Sequence, residues 1–142
     1  MIGNTLPPDD LDKQAQSNGV HRTSFPESFG HAIRGLLYVN RTQRNWRIHI
    51  VVSALVYLVG LWLRLNAMEF ALLTLTIGLV LISEVLNTAL EAAVDVSTQE
   101  FHTLAKVAKD VAAGGVLLAS ILAVVVGVLV FLPHLLPFPG AR

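Results

Sequence analysis

The chain has 142 residues, enough for one compact domain, and is 54% hydrophobic but only 14% charged. A soluble domain carries about 25% charged residues, so this much apolar sequence cannot all be hidden in one small core, and a bilayer is its natural solvent. Net charge is zero, which indicates no bulk attraction to nucleic acid. The absence of cysteine excludes disulfides and thiolate metal sites.

Residues 1–22 are polar, contain Pro7, Pro8, Asp9 and Asp10, and show no apolar periodicity. They read as a disordered tail without the apolar core of a secretory signal. Residues 23–142 are expected to form one membrane domain. Its first element is a helix over about 25–44, opened by a capping box in which Ser24 caps the first amides and Glu27 reaches back. Phe25, Phe29, Ile33, Leu36 and Leu37 recur at helical spacing, with Arg34 and Arg41 largely elsewhere. Such a helix lies on the membrane surface, or else packs on the bundle as a soluble amphipathic helix does.

Three apolar stretches follow, over about 48–65, 70–90 and 111–136, each near the 20 or so residues that a membrane helix needs. The pattern of the second continues to Asp95. Pro133 and Pro137 mark the end of the third. Arg22, Arg34, Arg41, Arg44 and Arg47 precede the first span, and Lys106 and Lys109 lie between the second and third. The positive-inside rule therefore puts the N-terminus and the second loop in the cytoplasm and the C-terminus outside. Trp46 and the nearby arginines, Arg47 included, read as interfacial anchors, and His49 as a further one.

The second span carries an anomaly. Glu84, Asn87, Glu91 and Asp95 are spaced i, i+3, i+7 and i+11, which puts them on one face, while Val85, Leu86, Leu90 and Val94 cover the others. The stripe is about 16 Å long and runs from the hydrocarbon toward the cytoplasmic interface. A carboxylate in the bilayer costs at least about 2.5–3.5 kcal/mol on insertion scales. Asn87 alone would pass as polar glue between helices. Two Glu on the same stripe point instead to catalysis or ion binding.

The loop after this span supplies complementary charge in Glu100, His102, Lys106, Lys109 and Asp110. The lysines could neutralise phosphate oxygens or simply snorkel at the interface. Asp110 has no topogenic role, which favours a functional Lys109-Asp110 pair. No P-loop, kinase glycine loop, HExxH or nucleophile elbow is present. A nucleotide site would have to be assembled from carboxylates, lysine and a metal.

These residues resemble the prokaryotic diacylglycerol kinase and undecaprenol kinase family. The likeness lies in Glu84-x-x-Asn87-x-x-x-Glu91-x-x-x-Asp95, in Glu100-Phe101-His102, in Lys106-x-x-Lys109-Asp110 and in the run from Arg44 to His49. It extends from about Phe25 to Phe131. The resemblance implies an all-α membrane protein with an N-terminal amphipathic surface helix and three transmembrane helices. It also implies a homotrimer with active sites between subunits. It implies transfer of the ATP γ-phosphate, with Mg2+, to the hydroxyl of a membrane lipid alcohol at the cytoplasmic face of a prokaryotic plasma membrane. Glu84 would be the general base and Asn87 would orient it or the substrate. Glu91 would ligate magnesium. Glu100 and His102 would lie near the nucleotide, Lys109 would hold phosphates and Asp110 would support the site.

Two positions depart from the pattern. The family's extra acidic metal ligand is replaced by Gln43, which brings no charge, and Phe101 stands where Tyr is frequent. The acceptor is expected to be undecaprenol or diacylglycerol, with the Arg44–His49 run favouring the former. The competing readings are a non-enzymatic membrane oligomer that binds or conducts cations, and a catalytically impaired relative of the kinases.

Overall fold

The computed structural model describes residues 24–98 and 102–136. The expected tail over residues 1–22, Glu100, Phe101 and Pro137 lie outside these. Among the described residues the fold is all-helical: α1 (Phe25–Thr42), α2 (Arg44–Trp62), α3 (Ala67–Ser97) and α4 (Thr103–Leu135). The last three are long and apolar enough to cross a membrane. The chain divides into two units, one ending at Gly35 and one from Leu36 onward that holds the three long helices.

The N-terminus of α1 shows half of the expected box, with the Ser24 amide donating to Glu27 Oε2 at 2.8 Å. The apolar side chains Phe25, Phe29 and Ile33 are exposed. The helix stops two residues before the expected boundary. Gln43 takes an extended backbone (φ −98°, ψ 115°), makes no side-chain cap, and separates α1 from α2.

All three spans begin earlier than the apolar runs suggested. Helix geometry continues through the polar turns at the interface, where hydropathy falls but the backbone still bonds to itself. Thus α2 takes in Arg44–Arg47, and α4 takes in the eight residues before Val111. The start of α3 is fixed by a complete capping box that the sequence reading passed over. Asn66 Oδ1 accepts from the Met68 and Glu69 amides at 2.9 and 3.0 Å, and Glu69 Oε2 accepts from the Asn66 amide at 2.7 Å.

Between α2 and α3 the chain turns in four residues. Leu65 N donates to Gly60 O at 3.0 Å and Arg64 N to Leu61 O at 3.2 Å. This is the Schellman pattern, and it places Arg64 at φ 56°, in the left-handed region. Gly60 is needed just below it. A Cβ there would lie 3.0 Å from the Phe70 ring.

Pro133 does not end α4. It sits in the last turn, and Leu136 N still donates to Leu132 O at 3.1 Å. A proline there forfeits one amide bond, to Leu129 O, at a point where the helix is finishing anyway.

The buried core is small. Leu65, Leu73 and Val130 pack with Phe70 and Phe131 near the α2–α3 turn. Tyr57 stacks on Phe70 with centroids 6.2 Å apart, and its hydroxyl hydrogen-bonds Thr74 at 2.7 Å. At the same end Glu69 Oε1 stands 3.6 Å from His134 Nε2 and ties α3 to α4. Most large apolar side chains of the spans are exposed, as lipid-facing helices require.

Candidate active site

The stripe on α3 is graded in burial. Glu84 is 2% exposed, Asn87 and Glu91 are half-buried and Asp95 is exposed. The grading follows from the helix running out of the bundle toward the loop. Thr88, also buried, returns its hydroxyl to the Glu84 carbonyl at 2.9 Å, so neither Thr88 nor the Glu84 backbone solvates the carboxylate.

Within the stripe, Asn87 Nδ2 donates to Glu91 Oε1 at 3.0 Å, the i, i+4 contact that helix geometry provides. Two buried oxygens, Glu84 Oε1 and Asn87 Oδ1, have no hydrogen-bond partner among the described residues. Buried acceptors are normally satisfied, and each orphan needs an explanation. Both are open to a donor or a cation brought by a ligand.

The nearest ionisable group comes from α2. His49 Nε2 lies 3.3 Å from Glu84 Oε1. That is an ion-pair distance, but the contact lacks the alignment of a hydrogen bond, which is why Oε1 still counts as unpartnered. From the sequence alone His49 reads only as an anchor. The signal for more was its position: an imidazole inside an apolar span that also contains Ile48, Val51 and Val52.

The Lys109-Asp110 pair is divided in space. Lys109 Nζ donates to Asp95 Oδ1 and joins α4 to α3, while Asp110 pairs with Lys106 on its own helix. Adjacent residues on a helix point about 100° apart, so the two could not share one partner. His102 caps α4, its Nδ1 accepting from Leu104 N at 3.2 Å. Arg47 is exposed and Gln43 half-buried. The stripe, His49 and Lys109 are thus brought together, and Asp110 faces Lys106.

Among the described residues no group of three His, Asp or Glu side chains could hold a metal by itself. The donors of the stripe suit a hard cation that takes most of its ligands elsewhere. Glu91 offers a carboxylate with only one oxygen engaged, and Asn87 Oδ1 is a free amide oxygen beside it. Magnesium bound with nucleotide phosphates asks for one or two protein carboxylates and no more.

Beside the stripe a cavity of about 550 Å3 opens between α2, α3 and α4. Its walls include Ile48, Val56, Val80, Gly127 and Phe131, and His49 is its single ionisable lining residue. A Cβ added at Gly127 would meet nothing within 4 Å.

Known proteins give this geometry its context. A sequence model described as prokaryotic diacylglycerol kinase matches residues 30–131. The diacylglycerol kinase of Synechocystis is 51% identical over 110 residues, which cover 77% of this chain and 63% of that protein. The undecaprenol kinase of Bacillus subtilis is 38% identical over 125 residues, covering 88% of this chain and all of that one. The diacylglycerol kinase of Escherichia coli K12 is 32% identical over 118 residues, 83% of this chain and 97% of its own. Fold and relatives define the class as the small membrane-embedded lipid kinases. The chain belongs to the prokaryotic diacylglycerol kinase family.

Proposed function

We propose that this protein transfers the γ-phosphate of ATP to the hydroxyl of a membrane lipid alcohol, undecaprenol or diacylglycerol, at the cytoplasmic face of the plasma membrane. The observation that carries the reading is the buried, unpartnered Glu84 Oε1 at the inner end of a polar stripe in an otherwise apolar helix. An alcohol hydroxyl is a donor of the kind that oxygen lacks.

Glu84 accepts the hydroxyl proton as the alcohol oxygen forms its bond to the γ-phosphorus. The bond from that phosphorus to the β–γ bridging oxygen breaks, and ADP leaves with the electron pair. Asn87 orients the reacting groups through its free carbonyl oxygen, while its amide holds Glu91 in place. Glu91 would hold magnesium, with Gln43 as a neutral neighbour, and the ion when bound would supply charge neutralisation at the phosphates. Lys109 exchanges Asp95 for a phosphate oxygen, His102 and Glu100 are assigned to the nucleotide, and Asp110 supports the site. Phosphoryl transfer needs mainly positioning and charge neutralisation, which such a set supplies. The arginines before and in the first turn of α2, and Lys106 and Lys109 in the first turns of α4, support a cytoplasmic N-terminus and a cytoplasmic α3–α4 connection.

The test is phosphorylation of both lipid alcohols by purified protein with labelled ATP and magnesium. Wild type should label at least one, and Glu84→Gln should lose about 100-fold or more in kcat, the usual scale for removing a general base. Labelling of neither lipid, or full activity in Glu84→Gln, would overturn the reading.

A further inference from the structure

Glu84 has a neighbour that the reaction scheme leaves unused. His49 Nε2 stands 3.3 Å from its Oε1, and no other ionisable group among the described residues is recorded within ion-pair reach of that carboxylate. The exposures of the pair are opposite. The Glu84 side chain is 3% exposed, and that of His49 is 25% exposed. His49 also lines the apolar cavity, to which α3 adds Thr76, Ile77 and Val80 and α4 adds Ser120, Ala123 and Val124. None of those titrates, so among the described residues Glu84 is the one ionisable group that faces the imidazole.

This arrangement answers a problem that burial creates. A base that has taken the alcohol proton must lose it before the next turnover, and Glu84 has almost no contact with water. We propose that His49 is a positioning residue of the phosphoryl-transfer site, aiming the Glu84 carboxylate at the acceptor hydroxyl and relieving it of the transferred proton between turnovers. The inference rests on Glu84 being the base.

In this step the Glu84 Oε1–H bond breaks and its electron pair stays on the carboxylate. The proton bonds to the Nε2 lone pair of a neutral imidazole, the partly exposed imidazolium gives a proton to water, and exchange with water restores the tautomer whose bare Nε2 faces Glu84. No oxidant, reductant or further reactant is consumed. The neutral ring is the working form. An imidazolium at 3.3 Å would already neutralise the Glu84 carboxylate and weaken its pull on the hydroxyl proton. The rate should therefore be higher where the ring is uncharged, which rates measured from about pH 5 to 8 test.

The experiment uses the full chain in lipid nanodiscs with labelled ATP and the lipid alcohol that wild type phosphorylates best. Initial rates are measured across that pH range for wild type, His49→Gln and Glu84→Gln. His49→Gln keeps a polar side chain near Oε1 but cannot accept and release the proton. It should keep the ATP KM, lose about tenfold or more in kcat, and show a flat pH profile. His49→Ala should be partly rescued by added imidazole, which a packing defect would not be. A readout independent of turnover is the His49 ring titration followed by NMR, which should shift between wild type and Glu84→Gln. A wild-type pH slope and kcat in His49→Gln, or identical ring titrations with and without the Glu84 charge, would overturn the proposal. If Glu84→Gln is inactive while His49→Gln behaves as wild type, the relay falls and the base remains. If Glu84→Gln is fully active, the base assignment falls and takes the relay with it.

Discussion

Asp95 and Glu84 occupy the two ends of one stripe under opposite conditions. Asp95 is exposed and paired with Lys109, while Glu84 is enclosed beside a partly exposed histidine. An exposed pair of the Lys106–Asp110 kind contributes about 0–1 kcal/mol. Burying a carboxylate with incomplete pairing costs several kcal/mol, which a structural role would not justify. Gln43 is the position where charge is missing from the proposed metal site. Gln43→Glu should lower the magnesium concentration for half-maximal rate by about tenfold, the scale of one added charge-assisted contact; an unchanged magnesium curve would remove position 43 from the site. The stripe itself was legible in the sequence, because i, i+3, i+7 and i+11 is a helical signature that needs no tertiary knowledge. The partners were not. His49 meets Glu84 across 35 positions of sequence and Lys109 meets Asp95 across 14, contacts that depend on how the helices pack.

At the scale of the element, α3 owes its start to side chains rather than to hydropathy. Asn66 and Glu69 cap it, and Arg64 bears a left-handed backbone to make the turn before it. These give two stability changes of opposite sign. Asn66→Ala should cost about 1 kcal/mol, the usual worth of such a cap. Arg64→Gly should gain up to about 1 kcal/mol, since glycine adopts that conformation without the Cβ penalty. Thermal unfolding in detergent measures both, and a stabilised Asn66→Ala or a destabilised Arg64→Gly would contradict the assignment. The Asn66-x-x-Glu69 box was readable in the sequence. The left-handed Arg64 was not, because nothing in an arginine announces it. The number and order of the three spans were legible from three apolar runs, and α1 from its capping box and helical period. Their ends were not, since a hydropathy window ignores the polar first turns that the backbone continues through.

Among the described residues far more large apolar side chains are exposed than buried, and the core near the α2–α3 turn is small. Lipid covers part of that surface. The orphaned Glu84 and Asn87 oxygens suit a site completed from outside a single chain, by a ligand or by a neighbouring copy in the homotrimer that the family resemblance implies. Native mass spectrometry from nanodiscs should release three copies of the 15.4 kDa chain; a monomer that retains full activity would exclude sites shared between subunits. The class of fold was legible from composition alone, because 54% apolar residues in so short a chain leave only a membrane to receive them.

The 31 residues of α3 form an unbroken rod of about 46 Å, against a hydrocarbon slab of about 30 Å. The excess must tilt or protrude, so the rod acts as a gauge of the bilayer it stands in. Its two pinned ends are Glu69, held by His134, and Asp95, held by Lys109. A thicker membrane would draw Glu91 from water into oil, and a thinner one would lift Glu84 toward water. Phosphorylation in vesicles of graded acyl-chain length should therefore peak at one thickness and fall on both sides. A flat response would mean that the rod tilts freely to absorb the mismatch.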